Sequence, residues 1–221
     1  MLKFTPVIDG ETTLFYYKPN FLSNEEYTDL KNWLDSKTFI EGLCISGKSI
    51  PRLQLWYQEN GEYFCKKWRY EYDRWKSQKY EEVLTKIQNK VQEFASNIRN
   101  IEDDELIQIP KVNSCLINKY RNGEDSIRPH RDTPDSFGEY PTIIGLSIGS
   151  KRIISLKKIY YDPDNVTSLK NDPNTELNLD VELEDNSIFV MSGASQKYFT
   201  HEIPKCDTDD VRYSLTFREY I

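Results

Sequence analysis

VNSCLINKYRNGEDSIRPHRD, residues 112–132, decides how this chain is read. Its opening, 112–120, is rich in β-branched and aromatic side chains and runs into a polar Asn-Gly turn, as a strand does. Alternate residues of a strand share a face, so Asn118 and Tyr120 project together. The same rule turns His130 and Asp132 to one side at the far end of the stretch. Further along, TIIGLSIG (142–149), KRIISLKK (151–158), SIFVM (187–191) and VRYSLTF (211–217) repeat the pattern, and polar 161–180 predicts a long surface loop.

Towards the N-terminus, LFYYKPNFLS (14–23) predicts a strand closed by a Pro-Asn turn. Ser23 and Glu26 have capping-box spacing, and Tyr27, Leu30, Trp33 and Leu34 follow at helical intervals. A second helix spans 80–99, with Val83, Leu84, Ile87, Val91, Phe94 and Ile98 as its apolar stripe. Segment 51–64 predicts two short strands around Glu59-Asn60-Gly61. The fold class is mainly β with flanking helices (α+β): two helices backing a sandwich or barrel of short strands. With no linker and no repeat, the 221 residues predict one domain.

A mean hydropathy of −0.71 leaves no apolar run long enough for a membrane span, and MLKFTPVIDGE lacks a signal-peptide core. The expectation is an intracellular protein, cytoplasmic or nuclear, not secreted. Cys44, Cys65, Cys115 and Cys206 lie far apart, which predicts reduced, buried thiols and argues against a zinc site. The net charge of −7 argues against coating nucleic acid by bulk electrostatics, though not against a local basic patch.

There are only two histidines, His130 and His201. With Asp132 they make the two-His, one-carboxylate set of non-haem Fe(II) oxygenases, although a zinc hydrolase uses similar ligands. In RYSLTFR (212–218), Arg212, Ser214, Thr216 and Arg218 share one strand face and Tyr213, Leu215 and Phe217 the other. The arginines are too far apart to clamp one carboxylate. They hold the two ends of a dicarboxylate only if the strand twists or the long side chains reach inward; otherwise they merely charge an edge strand.

Six segments in this order resemble the AlkB family of Fe(II)- and 2-oxoglutarate-dependent dioxygenases: PRLQLWY (51–57), CLINKYRNGEDSI (115–127), His130-x-Asp132, IIGLSIGSKR (143–152), MSGASQKYFTHEIP (191–204) and RYSLTFR. The resemblance implies a double-stranded β-helix (jelly-roll) core over 111–221. Before it, 1–110 would form an extension with helices and a nucleotide-recognition lid at about 50–80. It implies Fe(II) held by His130, Asp132 and His201, with O2 as co-substrate. Arg218 with Asn118 would take the C1 carboxylate of 2-oxoglutarate, and Arg212 with Tyr120 and Ser214 the C5 carboxylate. Several family members have Asn where Ser214 stands.

Trp56 and Tyr63 match family positions that touch the substrate base, and Asp135 resembles an acid that reads its exocyclic group. Trp56 is equally well read as core, and Cys65 stands where many members carry a second aromatic. The implied activity is oxidative demethylation of 1-methyladenine or 3-methylcytosine in DNA or RNA, with the base flipped into the site of a monomer. Formaldehyde, succinate and CO2 would be released. Rival readings are an oxygenase of protein or lipid and, behind it, a non-catalytic jelly-roll binding module. The basic, aromatic stretch KKWRYEYDRWKSQK (66–79), with Arg121, Arg128 and Arg131, is read as a phosphate-gripping rim or as a plain charged surface.

Overall fold

The computed structural model describes residues 1–44, 47–99, 104–162, 164–165, 168–172 and 175–221. Two sheets face each other. The larger runs β1 (Leu2–Phe4), β3 (Glu11–Lys18), β12 (Ser187–Gly193), β9 (Ile143–Gly149), β14 (Arg212–Arg218), β7 (Ser114–Tyr120), β5 (Ser49–Gln58) and β4 (Ile40–Leu43). Short β2 (Val7–Ile8) pairs with β3, and β6 (Ser77–Gln78) with β5. The smaller sheet runs β11 (Leu179–Leu183), β10 (Arg152–Lys158), β13 (Phe199–Ile203) and β8 (Ile127–His130).

Alternation along the large sheet sorts its side chains between two cores. Ile117, Ile144, Leu146, Val190, Leu215 and Phe217 face the helices α1 (Asn24–Asp35) and α2 (Glu82–Arg99). Phe15, Tyr120, Ile143, Phe189 and Met191 face the small sheet, where Leu156, Val181 and Phe199 meet them. The capping box is formed: Glu26 N–H donates to Ser23 Oγ at 3.3 Å, and Ser23 N–H to Glu26 Oε2 at 2.8 Å. Glu26 also accepts from Lys90 Nζ at 2.7 Å, which ties α1 to α2.

Three expectations change. Segment 59–64 forms no second strand; β5 pairs instead with β4, β7 and, in parallel, β6. Phe64 N–H instead donates to the Trp75 carbonyl at 3.0 Å, so the segment after Gly61 closes a loop and does not extend a ladder. Within 161–180, part of which lies outside the described residues, β11 opens at Leu179 and pairs with β10. Cys65 and Cys115 are buried, but Cys44 and Cys206 are exposed. The strands before residue 111 are hydrogen-bonded into the large sheet, β3 to β12 and β5 to β7. No described helix is long and apolar enough to cross a membrane.

Candidate metal centre and anion site

His130 closes β8, and His201 sits directly opposite it on β13, so the small sheet itself presses the two imidazoles together. Their ring centroids are 4.1 Å apart. Asp132 follows just beyond β8, and ligand atoms of all three residues lie within 4.8 Å of one another. His130 Nδ1 is 2.9 Å from the Arg128 carbonyl. A carbonyl can only accept, so that nitrogen carries the proton and Nε2 keeps its lone pair. Burial, partly opposed by Asp132, holds His130 below the ordinary histidine value. Burial together with His130 pulls His201 down to about 3. Both rings are therefore neutral at pH 7, as metal ligands must be.

Burial alone would raise the Asp132 carboxyl, but the Arg218 guanidinium beside it outweighs burial and keeps the group anionic. Arg218 Nε donates to Asp132 Oδ2 from the end of β14, bridging the two sheets. His201 Nδ1 is buried without a hydrogen-bond partner. Two neutral imidazoles and one carboxylate, converging with a donor atom unsatisfied, fit a divalent metal.

The same cavity, of about 240 Å³, runs inward from this cluster between the sheets. All four residues of the polar face of β14 line it (Arg212, Ser214, Thr216 and Arg218), as do Asn118 and Tyr120. Arg212 is only 1% exposed, yet its Nε and Nη1 have no partner. Its Nη2 donates to Ser147 Oγ at 2.8 Å, and its guanidinium lies 5.2 Å from the Tyr120 ring centroid. Burial lowers its pKa to about 10, still charged at pH 7. A buried cation with two idle donors is costly unless an anion completes it, so the pocket fits a carboxylate. Asn118 Oδ1 accepts from Arg52 Nε at 3.0 Å and from Gln54 Nε2 at 2.9 Å, leaving its NH2 as the donor available to a ligand.

The three residues expected at the base do not line this cavity. Trp56 is fully buried, its ring packed on Phe64, Phe137 and Tyr220 and its Nε1–H donating to the Glu62 carbonyl at 2.9 Å. Tyr63 spends its hydroxyl inside the 59–76 segment, accepting from Tyr72 N–H at 2.8 Å. Asp135 forms an exposed ion pair with Lys67 at 2.6 Å. Aromatic lining comes instead from Phe64, Trp68 and Trp75, of which Trp68 alone is exposed. Trp68 and Trp75 belong to the basic stretch already noted, whereas Phe64, Ser147, Arg52 and Gln54 gave no signal beyond being polar or aromatic in short strands and turns. Within that stretch Lys66, Lys67 and Lys76 are ion-paired and Arg74 is buried, so it is not a uniform free cationic rim.

Trp56→Ala is expected to cost about 3–5 kcal/mol of stability, as large-to-small core changes do. Thermal denaturation should register a fall of roughly 6–20 °C. A variant that melts like the wild type would contradict the core placement.

The model of the 2OG-Fe(II) oxygenase superfamily matches residues 14–218. The chain is 28% identical over 169 residues to the alpha-ketoglutarate-dependent dioxygenase alkB homolog 3 of Bos taurus, covering 76% of this chain and 51% of that protein. It is 29% identical over 119 residues to the DNA oxidative demethylase ALKBH2 of Arabidopsis thaliana, covering 49% and 38%. The chain thus spans about half or less of the length of these curated relatives. Among solved structures, OsALKBH1 superposes with a TM-score of 0.60 at 14% identity, over 93% of this chain and 97% of that one. A prolyl hydroxylase from Trichoplax adhaerens follows at 0.57 and 16%, over 94% and 83%. Both likenesses are of fold, and the fold is the double-stranded β-helix. The chain belongs to the 2OG-Fe(II) oxygenase superfamily, whose cofactors are Fe(II), 2-oxoglutarate and O2, and the curated relatives it resembles are AlkB homologues.

Proposed function

We propose that this chain is a 2-oxoglutarate-dependent dioxygenase that removes N-methyl groups from bases such as 1-methyladenine and 3-methylcytosine in DNA or RNA. One observation carries the reading: a single cavity joins the His130, Asp132 and His201 cluster, a buried arginine with two unpartnered N–H groups, and an aromatic wall. His130, Asp132 and His201 would hold Fe(II), which supplies oxidation of a C–H bond by O2 coupled to decarboxylation of 2-oxoglutarate. One oxygen atom ends in succinate. The other ends in a hydroxymethyl group that leaves the base nitrogen as formaldehyde.

The chain's own work is positioning. Arg212, beside Tyr120 and Ser214, would anchor the C5 carboxylate at the buried end. Asn118, its oxygen already engaged, would turn its NH2 to the C1 end together with Arg218. Phe64, Trp68 and Trp75 would stack on a flipped base, since every base offers a π-face. The 59–76 segment that carries them is fastened over the mouth. Ser136 Oγ–H donates to the Phe64 carbonyl at 2.6 Å, and Tyr220 O–H to the Tyr63 carbonyl at 2.8 Å.

Trp68, 38% exposed at the mouth, gives a selective test. Trp68→Ala should cut oligonucleotide demethylation about 5- to 100-fold, one lost stack, and leave substrate-free 2-oxoglutarate turnover unchanged. Equal loss of both would contradict a substrate role. For the activity itself, the protein with Fe(II) and 2-oxoglutarate is offered methylated single- and double-stranded DNA and RNA beside a peptide panel. Mass spectrometry should find methyl loss on nucleic acid; oxidation confined to peptides would favour the protein-oxygenase rival.

A further inference from the structure

We infer that Gln196 is a positioning residue of the metal centre, holding Asp132 in place through its backbone. The inference rests on the reading of His130, Asp132 and His201 as metal ligands. The sheet pairs His130 with His201, but Asp132 lies beyond that last paired position, so no ladder bond fixes its peptide. Its N–H donates instead to Gln196 Oε1 at 2.9 Å. Gln196 is 6% exposed, and burying an amide is unfavourable unless it is used. Its Nε2 meets only the weak acceptor Met191 Sδ, at 4.0 Å, so the bond to Asp132 is the strong one recorded for this side chain.

The platform beneath Gln196 is well anchored. Gln196 lies in the single helical turn α4 (Ser195–Tyr198), which leads directly into β13 and hence to His201. Ala194 N–H donates to the Thr12 carbonyl at 2.9 Å. Gly193 takes φ +61°, and a Cβ there would overlap that same carbonyl. At the other end, Glu11 accepts from Tyr198 O–H at 2.8 Å and pairs with Lys197 at 2.7 Å. Arg131, between the two β8-side ligands, directs Nη1 to the Gln196 and Lys197 carbonyls at 3.5 and 3.4 Å. One short segment therefore leads to His201 and orients Asp132, fixing a ligand of β13 against one from the loop after β8. Outer partners of this kind commonly govern metal affinity.

The test uses Co(II) as probe, read by its visible spectrum and by titration, with the melting temperature of the metal-free protein measured alongside. Wild type should bind Co(II) through the two-His, one-carboxylate set; failure there removes the metal-centre reading itself. Gln196→Met keeps length and apolar packing but loses the acceptor. It should melt like wild type, bind Co(II) about 10- to 100-fold more weakly and show an altered spectrum. Gln196→Glu retains an oxygen acceptor and should recover most of the affinity. Wild-type Co(II) affinity and spectrum in Gln196→Met would overturn the inference. So would equal impairment of both variants, or a loss of affinity in Gln196→Met accompanied by a lowered melting temperature.

Discussion

Arg212→Met is expected to weaken 2-oxoglutarate binding by about 30-fold or more and, at the same time, to stabilise the ligand-free protein. The opposite signs have one cause. Arg212 is buried with Nε and Nη1 unpartnered. Each unsatisfied buried donor costs about 1–3 kcal/mol, and two of them outweigh what the bond to Ser147 returns. Methionine fills similar space with nothing to satisfy, so the melting point should rise by a few degrees. Removing one side of a buried charge pair costs about 2–5 kcal/mol of binding, hence the predicted loss. Arg212→Lys should also bind poorly, because an ammonium is a point charge and not a planar fork. Titration calorimetry against 2-oxoglutarate and a melting curve measure both quantities. Unchanged affinity in both variants would return Arg212 to a structural role.

The second large effect is at His201. His201→Ala should abolish 2-oxoglutarate turnover, since the chain has no third histidine to take its place. Metal-dependent stabilisation should vanish with it. At a Mn(II) concentration about 100 times the Kd, the wild type gains roughly 2.7 kcal/mol, a rise of several degrees; the variant should gain nothing. The metal-free variant should still fold, because Leu156, Phe199 and Ile203 keep the small-sheet core. A variant that retains turnover, or still melts higher with Mn(II), would contradict the ligand assignment.

Alternation made half of this architecture legible in advance. RYSLTFR splits as its pattern predicts, with Arg212, Ser214, Thr216 and Arg218 on the cavity and Tyr213, Leu215 and Phe217 against the helices. The α2 stripe and the Ser23 capping box are equally local signals, and both are present. The small sheet was much harder to see. In β8 (IRPH) and β13 (FTHEI), histidines occupy positions that an apolar pattern would fill, and β11 emerges from a polar, Pro-containing stretch.

The residues expected at the base lie away from the cavity for a different reason. Period two correctly puts Trp56 on the face opposite Leu55 and Tyr57, but it cannot say what covers that face. Segment 59–76 folds back over it, turning Trp56 into core and bringing Phe64, Trp68 and Trp75 to the cavity wall. Asp135 was placed by its distance from Asp132 along the chain. Pro134 starts the short helix α3 (Pro134–Phe137), which carries Asp135 outward to Lys67.

The central claim is that this one cavity couples 2-oxoglutarate oxidation to removal of a methyl group from a base. The most direct measurement follows formaldehyde and succinate together, with Fe(II), 2-oxoglutarate and a 1-methyladenine or 3-methylcytosine oligonucleotide. Formaldehyde should rise in step with the succinate formed above the substrate-free background, with unmodified base recovered in the strand. Succinate formed without formaldehyde on any methylated DNA or RNA would contradict it.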